Sequence, residues 1–200
     1  MNTLDAIKNR RSVKKFDPDY KFSQEELKTI LDHMSLAPTA FNLQNWRFVL
    51  VEDRELRNKI KEAAWGQAQV TDASLLFILT ADLKAWDKDP KRYWKNAPKE
   101  VSDYMVGAID GYYRDKELVQ RDEAMRSCGI AAQTLMLIAK SMGYDSCPMD
   151  GFDFDKVGEL INLPEDHIIS MFVVVGKAIE EARPRAGSLP LEEILIKDKF

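Results

Sequence analysis

The chain of 200 residues is 45% hydrophobic and 31% charged, which excludes a disordered polymer and suffices for one core of ordinary size. Its 29 Lys and Arg against 33 Asp and Glu leave a net charge of −4, which argues against a general nucleic-acid binder. Two cysteines, Cys128 and Cys147, are too few for a disulfide framework, and the longest apolar runs, at 75–79 and 171–175, are far too short to span a bilayer.

The polar start, MNTLDAIKNRR, has no apolar secretory core, so a soluble cytoplasmic protein is the expectation. Residues 2–9 read as a short helix, with Leu4 and Ile7 three apart, ending in the basic run Arg10-Arg11-Ser12-Val13-Lys14-Lys15. Ser23-Gln24-Glu25-Glu26 is a capping box, flanked by Phe22 and Leu27 at the positions of a hydrophobic staple. The helix it opens has an apolar face of Leu27, Ile30, Leu31 and Met34 and stops before Pro38. A strand over 46–51 follows, then a charged helix from its cap at Asp53 to about Ala64. Residues 74–81 form a second strand whose near-continuous apolar run suits coverage on both faces.

The middle of the chain is helical. Residues 84–98, with Trp86, Trp94, Pro90 and Pro98 among many charges, predict an irregular excursion or short helices. A polar helix is expected over 99–120, and a second over 122–142 that is apolar nearly all round and must therefore be buried on all sides. Gly143 sits at its C′ position. A short segment, 144–149, leads to a helix capped by Asp155, and 168–175 is the third strand, closed by Gly176. The last 24 residues read as an extended arm. Three strands with helices around them give one domain over 1–200, a sheet covered by helices. The all-apolar helix and the arm both call for a second copy of the chain.

Several chemistries are missing. There is no GxGxxG, no GxxxxGK[ST], no HExxH and no GxSxG, and the two histidines, His33 and His167, lack ligand-spaced partners. Alternation at Arg10, Ser12 and Lys14 would turn two cations and a hydroxyl to one side, which suits a phosphate dianion. The same basic run leaves a non-enzymatic module for an acidic partner open as an alternative.

Four motifs in order, RRSVKKF at 10–16, APTAFNLQNWRF at 37–48, PMDGFD at 148–153, and VVVG at 173–176 followed by RPR and LPLEE, resemble the FMN-dependent nitroreductase family across nearly the whole chain. The resemblance implies an α+β fold with a central, mostly antiparallel sheet flanked by helices, and a C-terminal arm that reaches the partner subunit of a homodimer. It also implies FMN as cofactor and NAD(P)H as electron donor, with nitroaromatics, quinones or similar electron-poor small molecules as acceptors; the expected mechanism is ping-pong. The same flavin fold can serve another acceptor, an enone, a pterin or a halogenated compound. No nucleic acid, membrane or metal is implied.

By this resemblance Arg10, Ser12, Arg183 and Arg185 hold the cofactor phosphate, Arg11 and Lys177 count among the cofactor-binding residues, and Lys14 faces the N1–C2=O edge, where reduction builds negative charge. Pro38, Thr39, Ala40, Asn42 and Gln44 line the open face and polar edges of the ring, the first three from the other subunit. Pro148, Met149, Asp150 and Gly151 bring a backbone N–H to N5. Gly66 stands where the family often has an asparagine, and either Gln67 or Gln69 can take its place; Asp150 stands for a more usual glutamate, and Asn45 for a proline. No protein acid, base or nucleophile is needed in this scheme, and the aromatics of 84–113 are the expected roof of the pocket.

Overall fold

Alternation along one wholly buried strand divides the hydrophobic core in two. The computed structural model describes residues 1–200, and in it β2 (Leu75–Asp82) is buried at all eight positions. Leu76 and Ile78 face one layer, with Ile60, Val157, Phe172 and Val174, while Leu75, Phe77 and Leu79 face the other, with Ile30, Met34, Cys128 and Leu135. Period-two side-chain direction produces this split. The near-continuous apolar run follows from helices covering both faces.

The elements run α1 (Thr3–Asn9), α2 (Gln24–Met34), β1 (Trp46–Leu50), α3 (Arg54–Ala63), α4 (Gln69–Asp72), β2, α5 (Ala85–Lys88), α6 (Lys99–Tyr113), α7 (Glu117–Ser141), β3 (Asp145–Met149), α8 (Phe154–Leu160), β4 (His167–Gly176) and α9 (Leu191–Ile194). The four strands lie in the order β1-β2-β4-β3, and every pair is antiparallel. Helices α2 and α7 pack on one face of the sheet, and α3 and α8 on the other. This is the helix-flanked antiparallel α+β architecture expected from the sequence.

Local chemistry explains most of the boundaries. Both halves of the capping box at Ser23 form, with the Glu26 amide donating to the serine hydroxyl at 3.2 Å and the Ser23 amide donating to the Glu26 carboxylate at 2.8 Å. Gly143, at φ +89°, closes α7 with the paired bonds of a Schellman ending: Tyr144 N–H to Ala139 O at 2.9 Å and Gly143 N–H to Lys140 O at 3.1 Å.

Five expectations need correction. Residues 145–149 form a fourth strand rather than an unstructured link; DSCPM lacks an apolar run, and Pro148 is tolerated because β3 is an edge strand. The helix cap is Asp153, whose carboxylate accepts the Lys156 amide at 3.0 Å, and Asp155 lies inside the first turn of α8. The helical break falls at 114–116, where Asp115 adopts φ 57°, so residues 117–120 belong to α7. In α1 the buried residue is Ala6, while Leu4 and Ile7 are exposed. Finally, α7 is not enclosed within one chain: Ile130 is 43% exposed, beside exposed Gly129 and Gln133.

Arg57 is a fixed point between these layers. It is only 8% exposed, and its guanidinium donates to the carbonyls of Val51 at 2.8 Å, Ala73 at 2.6 Å and Ser74 at 3.0 Å. Burial lowers its pKa, yet a guanidinium has ample range to stay charged.

Candidate active site

The N-terminal segment after α1 runs beside β3, with a bridge between Ser12 and Ser146 and the Val13 amide donating to Ser146 O at 3.1 Å. Val13 and Phe16 turn into the core, which obliges their charged neighbours to face outward. The C-terminal chain returns along the same segment, through a bridge between Phe16 and Ala178 and the Ile179 amide on Lys15 O at 3.2 Å. Beyond it, Arg185 donates to the carbonyls of Lys8 and Arg10 at 3.2 and 3.3 Å, and Arg11 donates to Arg183 O. Two stretches about 170 residues apart are thereby tied into one cleft of about 590 Å³.

Six cations line this cleft, Arg10, Arg11, Lys14, Lys15, Arg183 and Arg185, together with Ser12 and two acids, Glu180 and Glu181. Strict alternation at 10, 12 and 14 is not what builds it. The segment makes only isolated bridges to its neighbours, so Arg11 and Lys15 line the cleft as well. Lys15 joins the cleft from the basic run without occupying a position that the motifs assign to the cofactor. Lys177 is placed elsewhere, its ammonium 5.6 Å above the Tyr20 ring.

Lys14 also looks toward β3. It and Arg10 act on the Cys147 thiol, pulling its pKa down against burial, which pushes it up and prevails. On that strand Pro148 and Met149 pair with Val173 and Phe172, and Asp150 and Gly151 follow at its exposed end. A Cβ on Gly151 would stand 3.1 Å from the Trp65 ring, so any larger residue would push the indole back by a few tenths of an ångström. Gln67 Nε2 donates to Gly151 O at 2.8 Å, and buried Gln69 donates to Gln67 Oε1 at 3.0 Å. Trp65, 72% exposed with φ 55°, is the residue of this corner that sequence reading passed over. Its only signal was the neighbouring Gly66, itself at φ +76°.

The loop before β1 does not line the cationic cleft of its own chain. Phe41, Asn42 and Gln44 all adopt positive φ, and the Gln44 amide donates to Thr39 Oγ1 at 2.9 Å. Asn42 and Gln44 instead open onto a second cleft with Arg47, Arg92, Tyr93 and Lys95. Pro38, Thr39 and Ala40 sit on the same loop.

A cluster of Asp82, Asp166 and His167 gathers ligand atoms within 4.8 Å. Lys88 already bridges its two carboxylates at 2.7 and 2.8 Å, so the group is charge-compensated. No helix is long and apolar enough to cross a membrane.

The nitroreductase family profile matches residues 7–177, the stretch that spans the sheet, the Gly151 corner and the N-terminal wall of the cationic cleft. This chain belongs to the nitroreductase family. It is 52% identical over 204 residues to protein DrgA of Synechocystis, covering 100% of this chain and 97% of that one. It is 32% identical to YodC of Bacillus subtilis, a protein named as a presumptive NAD(P)H nitroreductase, over 96% of this chain and 97% of that one. A crystal structure of a presumptive nitroreductase from Exiguobacterium sibiricum in complex with FMN superposes with a TM-score of 0.90, at 30% identity and 98% and 97% coverage.

Proposed function

We propose that this member of the nitroreductase family is an NAD(P)H-dependent FMN oxidoreductase that works as a homodimer on nitroaromatics, quinones or similar electron-poor acceptors. The observation that carries the reading is the cationic cleft, built by both ends of the chain and bridged through Ser12 to Ser146 on β3, the strand that leads to the glycine corner. A volume near 590 Å³ lies within the range of small-molecule and cofactor sites. When bound, FMN supplies the hydride chemistry, in two half-reactions of ping-pong order.

The chain's own residues bind and tune. Arg10, Ser12, Arg183 and Arg185 donate charge-assisted hydrogen bonds to a phosphate. Lys14 places a fixed positive charge where negative charge develops, which favours the reduced state. The Asp150–Gly151 backbone offers an N–H at N5, and Gln67 holds that turn by its carbonyl. The exposed stripe of α7 and the apolar side chains of Leu189, Leu191, Ile194 and Leu195 on the arm support a dimer, because one chain leaves them facing water. In that dimer Pro38, Thr39 and Ala40 serve the partner's ring face, which accounts for their distance from their own cleft.

The test is a visible spectrum of the purified protein, before and after anaerobic NADH or NADPH. A flavin spectrum that bleaches, and then returns on addition of a quinone or nitroaromatic, is the expected result. A colourless protein that takes up no added FMN overturns the reading.

A further inference from the structure

The second cleft, of about 600 Å³, lies between the 39–44 loop, the start of β1 and the excursion after α5. Asn42, Gln44, Trp46, Arg47, Arg92, Tyr93, Lys95 and Asn96 line it, without one acid, in a chain where acids outnumber bases. The charge pairing of the excursion is selective. Lys88 is held by Asp82 and Asp166, and Lys91 and Lys99 by Asp103. Arg92 and Lys95, the two cations of the excursion that line this cleft, have no acidic partner, and Arg47 has only Asp82 at 3.7 Å.

The walls are fixed although the cations are free. Asn42 Nδ2 donates to the Tyr93 carbonyl at 3.0 Å and so ties the loop to the excursion. Gln44 Nε2 donates to Asn42 Oδ1 at 3.2 Å, and Arg47 donates to the carbonyls of Gln44 and Trp46, both at 2.9 Å. The Arg92 guanidinium lies 5.6 Å from the centre of the Tyr93 ring, which leaves its N–H fork available to an anion. Trp46 is buried with its indole N–H unpaired.

We propose that this cleft seats the phosphorylated adenosine end of the electron donor, and that it makes the enzyme prefer NADPH to NADH. The inference rests on the flavin-reductase reading above, in which the 38–44 loop borders the face where a nicotinamide must lie. The adenosine end of the donor then has to be held beyond that loop. A site with two unpaired cations, amide donors and an aromatic ring suits a phosphate beside a purine.

Equilibrium titration with 2′,5′-ADP, which needs no redox chemistry, tests the site in the purified protein. The double variant R92A/K95A is expected to bind it at least tenfold more weakly than wild type, while K91A, on the same excursion but paired to Asp103, binds it normally. Stopped-flow reduction should show the same loss for NADPH, little change for NADH, and an unchanged limiting rate. Equal 2′,5′-ADP affinity in wild type and double variant overturns the proposal. So does a loss confined to an anionic acceptor such as 4-nitrobenzoate, which would assign the cations to the acceptor instead. A colourless protein overturns the flavin reading alone, because the 2′,5′-ADP titration still decides the cleft.

Discussion

Gln67 holds Gly151 by its carbonyl: the side-chain amide donates to Gly151 O at 2.8 Å, and Gln69 in turn donates to Gln67 at 3.0 Å. The relay couples the turn before α4 to the end of β3. Beside Gly66, both glutamines act on this corner, one directly on the turn and one through the other.

Adding a methyl at Gly151 tests this corner. G151A puts a carbon 3.1 Å from the Trp65 ring and should weaken FMN binding by about 1–3 kcal/mol through the shift it forces. The double variant W65A/G151A should recover much of that loss, since the opposing ring is gone. Fluorescence titration of FMN into the apoprotein reads both, and equal affinities for G151A and wild type would remove the corner from the site.

The cationic cleft separates affinity from potential. R10A should weaken FMN retention by about 1.5–3 kcal/mol, less at high salt, because a charge-assisted phosphate partner is lost. K14A should lower the flavin midpoint potential more than it lowers affinity. Spectroelectrochemistry checks the second statement, and an unchanged potential contradicts it.

Arg57 is the strongest structural prediction. R57L leaves the buried carbonyls of Val51 and Ala73 and the half-buried one of Ser74 without their donor and should cost roughly 3 kcal/mol or more in unfolding free energy. Urea denaturation followed by circular dichroism measures it, and a loss below about 1 kcal/mol would refute the role assigned to it.

A hydrogen-bonded chain of Tyr20, Tyr144 and Glu26 predicts a pH window. Tyr144 donates to Glu26, and the Tyr20 hydroxyl, 2.6 Å from that of Tyr144, is left as donor to it. The Tyr144 hydroxyl, and then the Ser23 bonds, hold the Glu26 carboxyl below its ordinary range; burial first, and then Glu26, pushes the Tyr144 phenol up. A depressed carboxyl stabilises the fold above its unfolded pKa, and that support is lost as pH falls through the folded value. A raised phenol does the reverse at the alkaline end. Y144F should therefore lower the urea midpoint most between about pH 5 and 9. The gap to wild type should close as the pH falls to about 3, and a constant gap would sink the assignment.

Elements whose signals are local were legible in the chain. The capping box, the apolar run of β2 and Gly143 at the end of α7 are set by neighbours in sequence, and they lie where expected. β3 was hidden because its strand character comes from pairing with β4, not from DSCPM itself. The gathering of Arg10 with Arg185 was legible only through family resemblance, since no local pattern joins residues 175 apart. Arg92 and Lys95 were lost among many charges, because what distinguishes them is a missing ion pair, which is a property of three-dimensional neighbourhood.

Phe41, Asn42 and Gln44 hold left-handed backbone that side-chain-bearing residues adopt at a cost of about 1 kcal/mol each. Replacing one of them with glycine would relieve that strain. At Asn42 it would equally remove the amide that joins the loop to Tyr93, and at Gln44 the amide that braces Asn42. With the ligand role proposed for this cleft, the loop carries a built-in opposition between heat tolerance and ligand discrimination. A selection for thermostability alone would be drawn to these positions and would blunt recognition as it succeeded.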